Sequence, residues 1–174
     1  MPTNGWSQNR HANNTTLNKW KPTATRKWIW SLSSKIKLRA LYALISSCLL
    51  AVPGASAYYL GGCVIYTMDA RRNILGIPDD VLKAQKPVTE DYVTLCAETV
   101  RKNVNATWGI GELGIAGPTG SRYGHDAGIS VVGVSGPVTM ARKVETGHND
   151  REANMWAFAE AGFALLHDAM KQSG

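Results

Sequence analysis

Two runs of β-forming residues, 58–67 (YYLGGCVIYT) and 108–115 (WGIGELGI), flank a helical period, and this alternation constrains the fold most strongly. Neither run alternates apolar with polar residues, so both read as buried strands, the first covered on both faces as in a parallel sheet. Between them Tyr92, Val93, Cys96, Ala97, Val100 and Val104 mark one buried face behind Thr89, an N-cap residue, which predicts a helix over 89–104. Residues 129–134 and 138–144 read as two strands of a hairpin turning at Ser135-Gly136-Pro137. Asn149, with Glu152 three residues later, predicts a capping box, and Asp150 favours the same helix start. Trp156, Ala159, Phe163, Leu166 and Met170 then give the last helix an apolar stripe. Strands alternating with helices predict an α/β domain with a mixed sheet covered on both faces.

The front of the chain differs in composition. Residues 1–68 hold eight Lys/Arg and no Asp or Glu; residues 69–174 hold eleven Lys/Arg against thirteen acids, a net −2. The formal charge of +6 therefore belongs to the front of the 174-residue chain. Four of the six Trp also lie in the first 30 residues. Residues 1–34 show no sustained period and are expected to be disordered or poorly packed. Ile36, Leu38, Leu41, Leu44, Ile45, Cys48 and Leu49 recur at helical steps and predict a helix over 35–52. Its apolar part, 40–52, is shorter than the roughly 20 residues a membrane-spanning helix needs. A short helix over 69–75 is expected to stop at Gly76 and Pro78. Cys48, Cys63 and Cys96 stand singly, with no CxxC and no histidine at ligand spacing. That pattern argues against a disulfide framework or a metal site and fits a reducing, cytoplasmic setting. The acid-free front suits an organelle-targeting segment as the alternative, or a basic arm for nucleic acid or an acidic membrane.

For chemistry, the richest segment is 114–128, where Gly114, Gly117, Gly120, Gly124 and Gly128 surround Pro118, Thr119, Ser121 and Arg122. Such a loop can turn backbone N–H groups inward as an anion nest, and a guanidinium at Arg122 can clamp a phosphate or carboxylate. It matches neither the P-loop nor the dinucleotide-binding glycine pattern. Tyr66 and Arg71, five residues apart at a strand-to-helix turn, can face one crevice.

Taken in order, four segments resemble the C-terminal domain family of CinA, the competence/damage-inducible protein. They are LLAVPGASAYYLGGCVIYT (49–67), ARRNILGIP (70–78), GIAGPTG (114–120) and NDREANMWAFAEA (149–161). The resemblance covers about residues 43–170. It implies a three-layer α/β/α sandwich with a mixed, mostly parallel sheet, often oligomeric, that needs no metal or cofactor. It also implies hydrolysis of the amide of nicotinamide mononucleotide, by a serine of a Glu-Ser-x-x-Gly-Gly motif aided by a Tyr and a Lys. A lysine of lowered pKa can take the serine proton, and N–H groups of a glycine-rich turn can hold the oxyanion. By the same likeness Tyr66 and Arg71 fall at the catalytic Tyr and Lys. Gly114, Ala116, Gly117, Pro118, Thr119, Gly120, Arg122 and Arg151 fall in the substrate-binding set.

The departures are specific. Without gaps, the Glu-Ser-x-x-Gly-Gly positions fall on Leu38, Arg39, Ala40, Leu41, Tyr42 and Ala43, so Arg39 stands at the nucleophile. Arg71 replaces the lysine and stays protonated, so it cannot act as base. Leu113 stands where the family keeps a threonine before the glycine-rich loop. The expected division is a basic, disordered or replaced segment over 1–42 and a CinA C-terminal-like domain over 43–172. The expected function is a catalytically impaired relative, with a non-catalytic nucleotide- or phosphate-binding module as the alternative and nucleic acid as the weakest reading. The first strand is expected to be missing or replaced; its loss would expose two sheet edges and favour self-association.

Overall fold

The computed structural model describes residues 36–174. The readings of 1–34 as disordered, and of the basic front as a targeting segment or binding arm, fall outside the described residues. Among the described residues, eleven elements build one sheet and its two covers. They are β1 (Leu38–Leu41), α1 (Ala43–Leu50), a 3-10 turn (Ala55–Ala57), β2 (Tyr59–Gly62), and α2, in which Met68–Ala70 runs into a π turn at Arg71–Leu75. There follow α3 (Asp79–Ala84), α4 (Glu90–Lys102), β3 (Trp108–Ile115), β4 (Ile129–Ser135), β5 (Met140–Glu145) and α5 (Arg151–Gln172).

The strand order is β2-β1-β3-β4-β5. β1 lies parallel to both neighbours, with Leu38 opposite Tyr59 on one side and Trp108 on the other. β3–β4 and β4–β5 are antiparallel, with Glu112 opposite Val132 and Val132 opposite Arg142. The sheet is thus mixed, parallel on one side of β3 and antiparallel on the other. The first strand is present: Leu38–Leu41 lies between two partners inside the sheet, and the exposed edges expected from its loss do not arise. The helix expected over 35–52 is correspondingly shorter, starting only at Ala43. Leu38 and Ala40 are fully buried, and a four-residue strand, Leu-Arg-Ala-Leu, is too short to carry a period that separates strand from helix.

The strand expected over 58–67 ends at Gly62. Beyond the bond from Cys63 N–H to the Ala40 carbonyl (3.1 Å), four-residue β1 offers no further partner, and residues 63–67 leave the sheet. The hairpin of β4 and β5 forms as expected. The last helix is capped by Asp150, whose carboxylate accepts the Ala153 N–H (3.1 Å), rather than by Asn149. A carboxylate is favoured there by the positive end of the helix dipole.

Each sheet face has its own core. α1 and α5 cover one face, bringing Ile45, Leu49, Phe163 and Leu166 onto Leu38, Ile110, Val132 and Val134. α4, flanked by α2 and α3, covers the other, where Val93, Cys96 and Val100 meet Leu75, Leu82, Leu113 and Val131. α4 seats closely because glycines interrupt the sheet face beneath it. A Cβ at Gly109 would collide with the Ala97 carbonyl and lie 2.8 Å from Arg101 Cβ, and one at Gly133 would lie 2.8 Å from Val93 Cγ1. At Gly111 the nearest atoms would be 3.4 Å away. Gly109→Ala is therefore expected to destabilise by about 3 kcal/mol, the upper range for overpacking, whereas Gly111→Ala, whose methyl meets ordinary contacts, is expected to stay within about 1 kcal/mol of the wild type. Urea unfolding of both variants checks the order.

Candidate functional site

A cavity of about 570 Å3 opens where residues 63–67 leave the sheet. Its walls come from Val64 to Asp69 and Arg71, from Pro87, Val88 and Tyr92, from Glu112 to Ile115, from Ser121 to Tyr123, and from Tyr42 after β1. Four of the residues singled out in the sequence line it: Tyr66, Arg71, Gly114 and Arg122. Tyr66 is 80% exposed. Arg71 is fastened down: its Nη1 donates to the Tyr92 hydroxyl (2.9 Å) and contacts Met68 Sδ (3.3 Å), and its guanidinium lies 5.0 Å from the Tyr92 ring centre. Its Nε is buried without a hydrogen-bond partner among the described residues. Arg122 lies on the rim, with Nη2 donating to the Tyr123 hydroxyl (2.6 Å) and its guanidinium 4.9 Å from that ring centre.

Ala116, Gly117, Pro118, Thr119, Gly120 and Arg151 lie outside the cavity lining. Arg151 instead pins the glycine-rich loop, its Nη1 donating to the Gly117 carbonyl (2.8 Å). Asn154, fully buried, continues the clamp: Nδ2 donates to the carbonyls of Ala116 (2.8 Å) and His148 (2.9 Å), and Oδ1 accepts from Thr146 Oγ1 (2.5 Å). Gly120 closes the turn, where a Cβ would come 2.6 Å from the His125 carbonyl. Two residues of the first turn of α5 thus shape a loop roughly 35 residues upstream.

The residue with the most unusual surroundings is Glu112, which no motif marks. It is 5% exposed. Its Oε1 accepts from Ser130 Oγ (2.5 Å), and its other oxygen takes no hydrogen bond from the described residues. Burial pushes the carboxyl up to about 7, against the pull of the Ser130 bond in the other direction. Tyr42 is affected in turn: burial first, then the Glu112 charge, raises its hydroxyl above the ordinary range, with Arg151 opposing. The available signal was a lone charged residue in an otherwise apolar and glycine-rich strand, 108–115.

The cavity also contains aliphatic hydroxyls, Thr67 and Ser121. Thr67 Oγ1 accepts the Ala70 N–H (3.1 Å), and Ser121 Oγ accepts those of Tyr123 (3.2 Å) and His125 (3.3 Å). Neither hydroxyl has a carboxylate, amine or imidazole partner among the described residues. An amide-cleaving hydroxyl needs such a base. Among the described residues no group of His, Cys, Asp and Glu is arranged to hold a metal ion. None of their helices is long and apolar enough to cross a membrane.

The profile of the CinA C-terminal domain matches residues 43–170. The chain belongs to the CinA C-terminal domain family. A CinA-like protein of Desulforapulum autotrophicum is 31% identical over 132 residues, covering 75% of this chain and 31% of that protein. A CinA-like protein of Anaeromyxobacter dehalogenans is 37% identical over 118 residues, covering 66% of this chain and 29% of that protein. The chain therefore spans about three tenths of the curated relatives it matches. Among solved structures, a competence or damage-inducible protein from Enterobacter asburiae superposes with a TM-score of 0.76 at 23% identity, covering 86% of this chain and 99% of that one. A CinA superfamily protein from Enterobacter cloacae gives 0.74 at 22% identity, with 98% of both chains covered. At these identities the superpositions show the shared fold, and the cavity of this CinA domain is read from its own residues.

Glu112 supplies a stability test. A carboxyl that ionises near 4.5 when unfolded and near 7 when folded leaves the folded state holding the extra proton between those values. Its contribution is full below about pH 4.5 and is lost as pH rises to 7, amounting to roughly 3 kcal/mol. Tm of the wild type is expected to fall more steeply from pH 5 to 8 than that of Glu112→Gln. Parallel pH profiles would place the carboxyl in an ordinary, hydrated setting.

Proposed function

We propose that this CinA domain binds a pyridine mononucleotide of the nicotinamide mononucleotide type and does not hydrolyse its amide at a rate set by an activated nucleophile. One observation carries the reading: the cavity combines two guanidinium groups and four tyrosine rings with hydroxyls that have no base among the described residues. Arg122 on the rim and Arg71 in the wall are suited to a phosphate, which a guanidinium meets with paired N–H donors. The rings of Tyr42, Tyr66, Tyr92 and Tyr123 line the same space and suit a flat pyridinium cation, which is attracted to the face of an aromatic ring.

Hydrolysis would need three more things: a nucleophile, a base to take its proton and donors for the oxyanion. The position matching the family's serine is Arg39, within β1. The position matching its lysine is Arg71, which keeps its charge and already donates to Tyr92. Tyr66 remains beside the cavity, and a tyrosine without a serine to assist has no acyl-transfer role. Binding without turnover is the chemistry these residues support.

Calorimetry of the full chain with nicotinamide mononucleotide, paired with an ammonia assay, tests this directly. Binding is expected without ammonia release above background, and Arg122→Ala is expected to weaken it roughly tenfold, the worth of one charge-assisted contact. Steady ammonia release that persists through purification would contradict the loss of hydrolysis. Affinity unchanged in Arg122→Ala would remove the proposed phosphate contact.

A further inference from the structure

The cavity lining contains two acidic residues, Asp69 and Glu112. Asp69 is exposed and ion-paired with Arg72 at 2.5 Å. Glu112 is different. It stands among apolar neighbours, opposite Val132 and two residues from Ile110, where a charge is costly unless something uses it. Ser130 does not require it, because Ser130 Oγ also reaches the Leu113 carbonyl (3.3 Å). The wall in front of it has been thinned: a Cβ at Gly114 would collide with Glu112 Oε1 and come 2.8 Å from Ser130 Oγ and 2.9 Å from Phe158 Cδ2. The carboxyl therefore rests against bare backbone at a residue that is itself open to the cavity.

We infer that Glu112 is a specificity-determining residue, through which the cavity distinguishes the amide of a pyridine mononucleotide from the corresponding carboxylic acid; this rests on the pyridine-nucleotide reading above. Electrostatics sets the ligand's polarity. Its phosphate is drawn to Arg71 and Arg122 and repelled by Glu112, so the ring end faces the carboxyl. A carboxamide offers two N–H donors to the free carboxylate oxygen, and the pyridinium charge adds attraction. The acid form would set a second carboxylate against Glu112, and like charges at close quarters in a poorly hydrated site are strongly disfavoured.

The groups facing Glu112 leave it as the one that switches near neutrality. Ser130 comes from β4, Tyr42 from the β1–α1 junction, and the Gly114 backbone with Phe158 from α5 lies beside it. Tyr42 is held neutral by burial, and Arg151 acts on Tyr42. Arg71 and Arg122 stay positive throughout, and Asp69 is occupied by Arg72.

Calorimetry on the full chain at pH 8 with nicotinamide mononucleotide and nicotinic acid mononucleotide decides the matter. The wild type is expected to prefer the amide by about tenfold, and Glu112→Gln to bring the two within about threefold, since Gln is neutral and can still accept from Ser130. Should Glu112→Gln fail to fold, the wild type alone suffices: the preference is expected to shrink from pH 8 to pH 6 as Glu112 takes a proton. The ligand phosphates titrate alike and cancel in the ratio. Equal affinities in the wild type at pH 8 would overturn the inference and leave the pyridine-nucleotide reading standing. So would a preference that survives both the substitution and the drop to pH 6. Failure of either nucleotide to bind the wild type would overturn that reading and this inference with it.

Discussion

Four residues, Leu38–Leu41, hydrogen-bonded to strands on both sides, hold the rest of the domain in place. Without them β2 would have no partner, and β3 would present an open edge. The constraint is severe because β1 is so short. It ends before β2 can continue, so 63–67 must peel away, and the space vacated becomes the cavity. It also delivers Tyr42 close enough to Glu112 for the carboxylate to raise the tyrosine's pKa. The site is thus a consequence of where pairing stops.

Glycine governs the packing around that strand in two ways. On the α4 face Gly109 and Gly133 let a helix backbone approach the sheet. On the other face Gly114 leaves room for a buried carboxyl. The first arrangement is ordinary packing, whereas the second holds an acid in an apolar wall facing open space. A buried acid that shifts towards neutrality in a cleft is a common mark of a functional site.

Much of this was legible in the sequence. Thr89 as a cap and the Val93–Cys96–Val100 face placed α4, and the buried character of 108–115 placed β3. The hairpin followed from the Gly136-Pro137 turn. The short inner strand was not legible, because Leu38 and Ala40 read equally well as helix and their partners lie roughly 20 and 70 residues away. For the site, the motif residues split by geometry: Tyr66, Arg71, Gly114 and Arg122 reach the cavity, while Arg151 spends its charge on the Gly117 carbonyl. Asn154 and Ser130 could not be found from sequence, since their roles depend on contacts across the fold. Glu112 could have been, as the lone acid in a buried strand.

Amide hydrogen exchange on the intact chain tests the inner strand most directly. Residues 39–41 are expected to exchange as slowly as Ile110 in β3, with which they share a ladder, because both amide sets are released only when the sheet opens. Exchange across 39–41 as fast as that of exposed turn residues such as Gly124 would contradict a strand paired on both sides, and with it the origin of the cavity in the early end of β1.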